Sequence, residues 1–472
     1  MSSFRLTPPF LAFAWAVALP ALAQGLEPAM RARVDAFVAA LSSGSPELYE
    51  AMAREHFAPD LLARRSAEDR KEMLERVHGD FGALSVDREI VRETGRYELT
   101  VKGAKGGTAR LELTLEPSPP HRITRVAIEI GDPPDEEGAP LPPPPVTGEM
   151  APEELSRALG AYLAGLQASD RFAGVVLVAK DGEALFEGAF GLANRESKTG
   201  VSTATRFNLA SIGKAFTKAA IGQLLSQGKL ALGDTIETLL PDYPNAEARG
   251  ATVAQLLGHT AGIVDFFGPA FDRAPKEQFR SNADYYRLVA VQPLLSAPGT
   301  RRQYCNGCYI VLGAIIERLS GMPYEEYVRK NVFERAGMKG AGFLAMDDLQ
   351  PDVAIGYTRP TGGGEGALQA NHAMHGQRGS AAGGSYARAA DLLAFDNALR
   401  EKRLLDPKMT AWFLGGEAAP GRARGSLGIA GGAPGVNAIL ESDGVWTVAV
   451  VGNLDPPTAE RLGVGLMRQL SR

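Results

Sequence analysis

Cysteine is almost missing from this chain: its 472 residues include two, Cys305 and Cys308, with six histidines and three tryptophans. One C-x-x-C with no second such pair, and no histidine pair spaced to complete it, excludes the common structural zinc sites. No thioredoxin-like strand is evident before it, which favours two small buried residues or a local bridge over a catalytic thiol. Excess charge of either sign is also missing. A formal net charge of -5 and a pI of about 5.8 provide no field to attract nucleic acid or an anionic membrane. Long apolar runs are missing too. The run F-L-A-F-A-W-A-V-A-L-P-A-L-A, ending at Ala23, falls short of the ~20 residues a membrane span needs.

What is present begins with that run. Arg5 precedes it, Ala21 and Ala23 have the A-x-A spacing of a cleavage site, and no cysteine follows to carry a lipid. Residues 1–23 therefore read as a signal peptide, and the mature protein is expected to be exported, periplasmic or secreted, with no membrane span.

Met30, Val34, Phe37, Val38 and Leu41 lie on one helical face. Ser45-Pro46 opens a second helix, and Ser66 to Asp69 has the form of a capping box for a third. The period then drops to two at Tyr97, Leu99 and Val101, at Leu111, Leu113 and Leu115, and at Val126, Ile128 and Ile130, with a turn at Gly106-Gly107. Residues 25–130 are thus a small α+β domain, resembling the nuclear-transport-factor-like cone fold in its order of elements. Residues 131–149 are proline-dense, which excludes a packed element and marks a linker.

A larger domain over 150–472 follows. Leu155, Leu159, Tyr162, Leu163 and Leu166 predict an amphipathic helix; Gly174–Ala179 and Ala184–Phe190 predict strands joined at Asp181-Gly182. Helices and Gly- and Pro-rich loops fill 232–382, a helix covers Ala389–Leu399, and a strand at Trp446–Val451 and a helix from Thr458 end the chain. Strands from both ends of the domain imply one sheet with an all-helical insertion.

The chemistry-bearing letters are in N-L-A-S-I-G-K-A-F. A serine is a poor nucleophile without a base, and a neutral lysine three residues along a helix is within reach of it. S-x-x-K occurs twice, but Ser211-Lys214 stands at a helix start, where the helix dipole disfavours the ammonium form, and Ser226-Lys229 at the end of the same helix. Y-x-N also occurs twice. Tyr243-Pro-Asn245 lies in a proline-broken loop; Tyr304-Cys-Asn306 precedes a helix predicted over Tyr309–Leu319 and, taken alone, is as readily structural as catalytic.

Order decides between them. F-N-L-A-S-I-G-K, then G-K-L-A-L-G-D, L-L-G-H-T-A-G-I, P-G-T-R-R-Q-Y-C-N-G-C-Y-I-V-L-G and G-G-S-Y-A-R-A-A-D-L-L-A-F resembles the beta-lactamase-like serine hydrolases: class C beta-lactamases, penicillin-binding DD-peptidases, D-amino-acid peptidases and serine esterases. The resemblance runs from about Glu154 to the C-terminus. It implies an α/β (α+β) fold, an antiparallel sheet flanked by helices with an all-helical subdomain. It also implies Ser211 as acylated nucleophile, Lys214 as base, Tyr304 as proton relay and Asn306 as orienting donor. His259 resembles a position that packs the helical subdomain. No serine stands in G-x-S-x-G, the elbow of a different hydrolase fold. His372 and His375 form H-x-x-H in a Gly-rich loop, more in keeping with a solvated pair than a metal site, and neither metal nor cofactor is required. The implied partner is a small-molecule or peptide substrate, not nucleic acid; no oligomeric state is specified.

One motif departs from the family. Where it has Lys-Thr-Gly or His-x-Gly, G-I-A-G-G-A-P-G-V-N places Ile429, followed by Gly431 and a turn expected over Gly431–Asn437. The resemblance makes the N–H groups of Gly432 and Ser211 the oxyanion hole. With Ile429 there, a substrate carboxylate loses its cation unless Arg422 or Arg424 replaces it. No strand pattern shows over Gly415–Ser426, so the sheet is expected to be a strand short or the register shifted. The expected function is an exported hydrolase of esters or D-amino-acid amides; the alternative is a degenerate relative that binds peptidoglycan or peptide.

Overall fold

The computed structural model describes residues 28–63, 66–93, 95–105, 108–130, 141–348, 350–359, 367–415 and 425–471. The expected signal peptide, the Gly106-Gly107 turn, Arg422 and Arg424 lie outside them. Two compact units result, the first ending at Pro133 and the second comprising Pro134–Pro360 and Gly364–Arg472.

In the first unit, helices Pro28–Ser43, Pro46–His56, Pro59–Ala63 and Ala67–Phe81 precede four antiparallel strands in sequential order: β1 (Leu84–Glu93), β2 (Arg96–Gly103), β3 (Thr108–Leu115) and β4 (Ile123–Ile130). Pro46 takes the first helical position and Ser45 Oγ accepts the N–H of Leu48, as the dipeptide predicts. Val34, Phe37 and Leu41 share one core with Tyr97, Leu99, Leu111 and Leu113, so the helical and alternating periods meet on the same buried surface.

The second unit is built on a five-stranded antiparallel sheet: β5 (Gly174–Lys180), β6 (Glu183–Phe190), β7 (Leu427–Ala433), β8 (Val436–Ser442) and β9 (Trp446–Gly452), in the order β7-β8-β9-β5-β6. Asp181 and Gly182 both have positive φ, 50° and 83°, the turn that matches the twist of a two-residue hairpin. The central strands are apolar on both faces. Val176, Val178, Val448 and Val450 pack under the helices Pro152–Ala168 and Thr458–Leu470, while Val175, Leu177, Ala449 and Val451 face the helical insertion.

Two expectations are corrected here. The sheet is not a strand short: the G-I-A-G-G-A segment is itself β7, paired to β8 from Leu427↔Ser442 to Ala433↔Val436. The turn therefore narrows from Gly431–Asn437 to Pro434-Gly435. β8 escapes pattern reading because Asn437, Glu441 and Ser442 are buried along with its apolar residues, so V-N-A-I-L-E-S neither alternates nor forms a continuous apolar run. The second half of the expected linker is also packed. Val146 is buried with Leu155, Leu159 and Trp446, Leu141 and Met150 lie against them, and Tyr162 Oη donates to the Pro142 carbonyl at 2.8 Å. Proline excludes regular structure there but not burial.

Between β6 and β7 the insertion is helical, and helix Gly213–Ser226 runs through its core. Phe216 meets Phe333 and Phe395 edge-on, each at 5.0 Å between ring centres. Truncating so buried an aromatic costs about 3–5 kcal/mol.

Candidate active site

The turn that presents Ser211 is held from below. Phe207–Asn208 pairs with Tyr386–Ala387, and Asn208 Oδ1 accepts the N–H of Ala210 at 2.8 Å. Ala210 has φ 42°, a left-handed backbone that an L-residue tolerates only where its surroundings enforce it. Its carbonyl accepts the N–H of Gly384 at 3.1 Å, and a Cβ on Gly383 would lie 2.2 Å from that oxygen. The G-G of the G-G-S-Y block is thus a steric requirement, and a short 3-10 turn, Ala210–Ile212, then feeds helix Gly213–Ser226.

Around Ser211 Oγ stand Lys214 Nζ at 3.0 Å and Tyr304 Oη, which donates to it at 2.6 Å. Lys214 Nζ also donates to Asn306 Oδ1 and to the Ala382 carbonyl, both at 2.6 Å. Burial, partly opposed by the charge of Asp265, brings the Lys214 pKa down to about 7. Desolvation, more than the helix end, therefore favours the free amine. A neutral amine has two N–H bonds, which Asn306 and Ala382 take, and a lone pair left to face the serine hydroxyl. Tyr304 is shifted upward, chiefly by desolvation, so its hydroxyl keeps its proton.

Asn306 opens the helix Asn306–Ser320, three residues earlier than the apolar pattern predicts. Its Nδ2 donates to Asp265 Oδ2 at 2.6 Å, so toward Lys214 it is an acceptor through Oδ1 and not the orienting donor that the resemblance implies. Asp265, in H-T-A-G-I-V-D, is absent from the sequence reading; an acidic residue shortly after that block is the only signal that could have found it. Cys305 and Cys308 are joined by a disulfide, which resolves the alternatives left by their spacing. His259 stacks on Tyr304 at 4.9 Å, and its Nδ1 faces the N–H of Cys305 at 3.2 Å. Burial, then the charges of Lys214 and Arg302, lower the His259 pKa to about 4, so the ring is neutral and Nδ1 is free to accept.

Strand β7 passes against the turn that carries Ser211. A Cβ on Gly431 would lie 2.2 Å from the Leu209 carbonyl and 3.0 Å from Ser211 N, so only glycine lets the backbones approach. Ala430 and Gly432 line the cavity with Ser211, while Ile429 packs partly buried against the main core. The cavity measures about 580 Å³, and its remaining wall includes Phe266, Phe267, Tyr285, Leu344 and Met346. Arg378 is the only Lys, Arg, Asp or Glu among the described lining residues.

The other motif residues lie apart. Ser226 Oγ donates to the carboxylate of Asp406. Asn245 caps a turn through the N–H of Glu247, and Tyr243 is buried against Tyr286. His375 is the exception: it lines the cavity, where its ring faces the Pro434 carbonyl at 3.1 Å, whereas His372 is exposed. Among the described residues no cluster is suited to hold a metal, and no helix is long and apolar enough to cross a membrane.

The chain is 31% identical over 243 residues to the protein PbpX of Bacillus subtilis (strain 168), covering 50% of this chain and 57% of that one. It is 33% identical over 186 residues to the esterase EstB of Burkholderia gladioli, covering 37% and 47%. These alignments span about half the length of each relative. A solved penicillin-binding protein from Bacillus halodurans superposes with a TM-score of 0.59 at 27% identity, over 65% of this chain and 98% of that one. Residues 159–457, well over half the chain, match the family model described as Beta-lactamase, and the chain belongs to the beta-lactamase family of serine hydrolases and penicillin-binding proteins.

Proposed function

We propose that this protein is an exported serine hydrolase that cleaves neutral esters or amides through an acyl-enzyme on Ser211. The observation that carries the reading is the convergence of Lys214 and Tyr304 on one serine oxygen, at 3.0 and 2.6 Å, with the lysine pKa near neutrality. Lys214 Nζ takes the hydroxyl proton as Ser211 Oγ bonds to the carbonyl carbon. The backbone N–H groups of Ser211 and Gly432 stabilise the oxyanion. Collapse breaks the bond to the leaving alcohol or amine, which takes the proton back through Tyr304; water then repeats the sequence on the acyl-enzyme. Asn306 orients Lys214 throughout.

The walls favour a neutral substrate. Phe266, Phe267, Tyr285, Leu344 and Met346 accept an apolar group, and on the β7 side Ala430 offers no charge. Among the described lining residues a substrate carboxylate has only Arg378 to pair with, one placed elsewhere on the wall and left unpaired costs about 1–3 kcal/mol or more, and the likeness to an esterase points the same way. Among the described residues the lining belongs wholly to the second unit, so the first is assigned no part in the chemistry. Export is supported by the leader pattern and by a disulfide, which persists in oxidising compartments.

The test sets a small neutral ester beside a cephalosporin. Turnover of the ester should exceed that of the cephalosporin; efficient cephalosporin hydrolysis with negligible ester hydrolysis contradicts the reading.

A further inference from the structure

The disulfide sits inside the catalytic motif. In Y-C-N-G-C, Cys305 separates Tyr304 from Asn306, so the two residues that reach Ser211 and Lys214 are its immediate chain neighbours. Cys305 is also the N-cap of helix Asn306–Ser320, and its Sγ accepts the N–H of Cys308 at 2.9 Å. The bridge therefore ties the cap covalently to the first turn, where a side-chain hydroxyl would ordinarily hold it by a hydrogen bond alone.

Three further contacts converge on this turn. The Cys305 N–H donates to His259 Nδ1 at 3.2 Å, and the His259 ring stacks on Tyr304. A Cβ on Gly307 would lie 2.0 Å from the Val264 carbonyl, so the loop carrying Asp265 lies directly on the bridged turn. Tyr304 is itself 55% exposed, so packing alone does not fix its ring.

We propose that the Cys305–Cys308 bridge, with His259, is a positioning device for the reaction: a covalent helix cap that sets the places of Tyr304 and Asn306 against Ser211 and Lys214. The inference rests on the acyl-enzyme reading above. Opening the bridge leaves a thiol, a weak acceptor, at the cap. The first turn then frays, and the 2.6 Å bonds from Tyr304 to Ser211 and from Lys214 to Asn306 lengthen. Misplacement by about 1 Å costs as much as a hundredfold in rate.

The test compares the native chain with the Cys305→Ala/Cys308→Ala double variant and with native chain unfolded, reduced and refolded under a dithiol. Unfolding is needed because the two residues are 2% and 0% exposed. The dithiol supplies two electrons and two protons to the Sγ–Sγ bond, giving two thiols and its own cyclic disulfide; alkylation mass verifies the product. Both opened forms should lose about tenfold or more in ester kcat with KM little changed. The Cys305 and Cys308 amides should exchange faster with deuterium, and reoxidation of the reduced chain should restore both properties. A lowered melting temperature with native kcat, as a merely structural staple would give, overturns the proposal. If the double variant does not fold, the reduced chain decides. Should the native chain turn over no ester, the hydrolase reading fails separately. Amide exchange then still decides the bracket: faster exchange in the opened forms supports it, and native rates overturn it.

Discussion

One helix, Gly213–Ser226, has the same S-x-x-K spacing at both ends, and the two pairs are held in opposite ways. At its start Lys214 is only 7% exposed, its amine faces Ser211, and burial brings it to about pH 7. At its end Ser226 and Lys229 are exposed, and the serine hydroxyl is committed to Asp406. Spacing supplies proximity; desolvation lowers the lysine pKa, and the partners Asn306 and Ala382 orient its amine. The lesson is that the motif is chemically empty until the surrounding backbone removes water from the amine.

The largest effect that could break this comparison comes from exchanging one atom at each end. Ser211→Ala should lower ester turnover by about a thousandfold or more, and Ser226→Ala should stay within about twofold, both measured as kcat/KM on one neutral ester. Comparable losses in the two variants would erase the distinction.

Next in size is the lysine. Only the free amine can accept the serine proton, so the rate should rise as pH climbs through about 7 and then level off. Lys214→Met should lose this rise along with about a hundredfold or more in kcat, whereas Lys229→Ala should leave the profile in place. The stability linkage has the opposite sign to the usual lysine pair. The folded pKa of Lys214 lies below its unfolded value, so the unfolded chain binds more protons between the two. Lys214 therefore penalises the fold most below about pH 7, and Lys214→Met should melt higher there.

Asp265 sharpens the account further. Its charge raises the Lys214 pKa, so Asp265→Asn should move the midpoint of the pH–rate profile downward while costing about tenfold in kcat through the weakened Asn306 bond. A midpoint moving upward would contradict the assigned electrostatics.

The smallest effect concerns two neighbours on β7. Ala430 lines the cavity and Ile429 packs against the core, so a cation introduced at 430 should serve a substrate carboxylate better than one at 429. Ala430→Lys should raise the cephalosporin-to-ester ratio by about tenfold, and Ile429→His by less. The measurement is the ratio of kcat/KM values for the two substrates; a larger shift from Ile429→His would place that side chain in the site after all.

Legibility followed the same division. The helical start at Ser211, the Asp181-Gly182 hairpin and the amphipathic helix of Leu155 to Leu166 are local, and sequence reading located them. β8 was invisible because its buried Asn437, Glu441 and Ser442 interrupt the apolar run by which the equally buried β9 was located, and the packed stretch around Val146 was hidden by the prolines beside it. Asp265 and the Ala382 carbonyl act from loops remote in sequence, and the strained Ala210 depends on Gly383-Gly384 more than 170 residues away. A single sequence with one resemblance names Ser211, Lys214, Tyr304 and Asn306, but not the burial that lowers the lysine pKa or the Asp265 charge that opposes it.

The most direct test of the central claim is the site of covalent capture. Folded protein incubated with a fluorophosphonate, checked by intact mass and mapped by peptide analysis, should carry one adduct on Ser211, and Ser211→Ala should carry none while melting cooperatively. An adduct on Ser226, or no adduct on folded protein, would contradict the account.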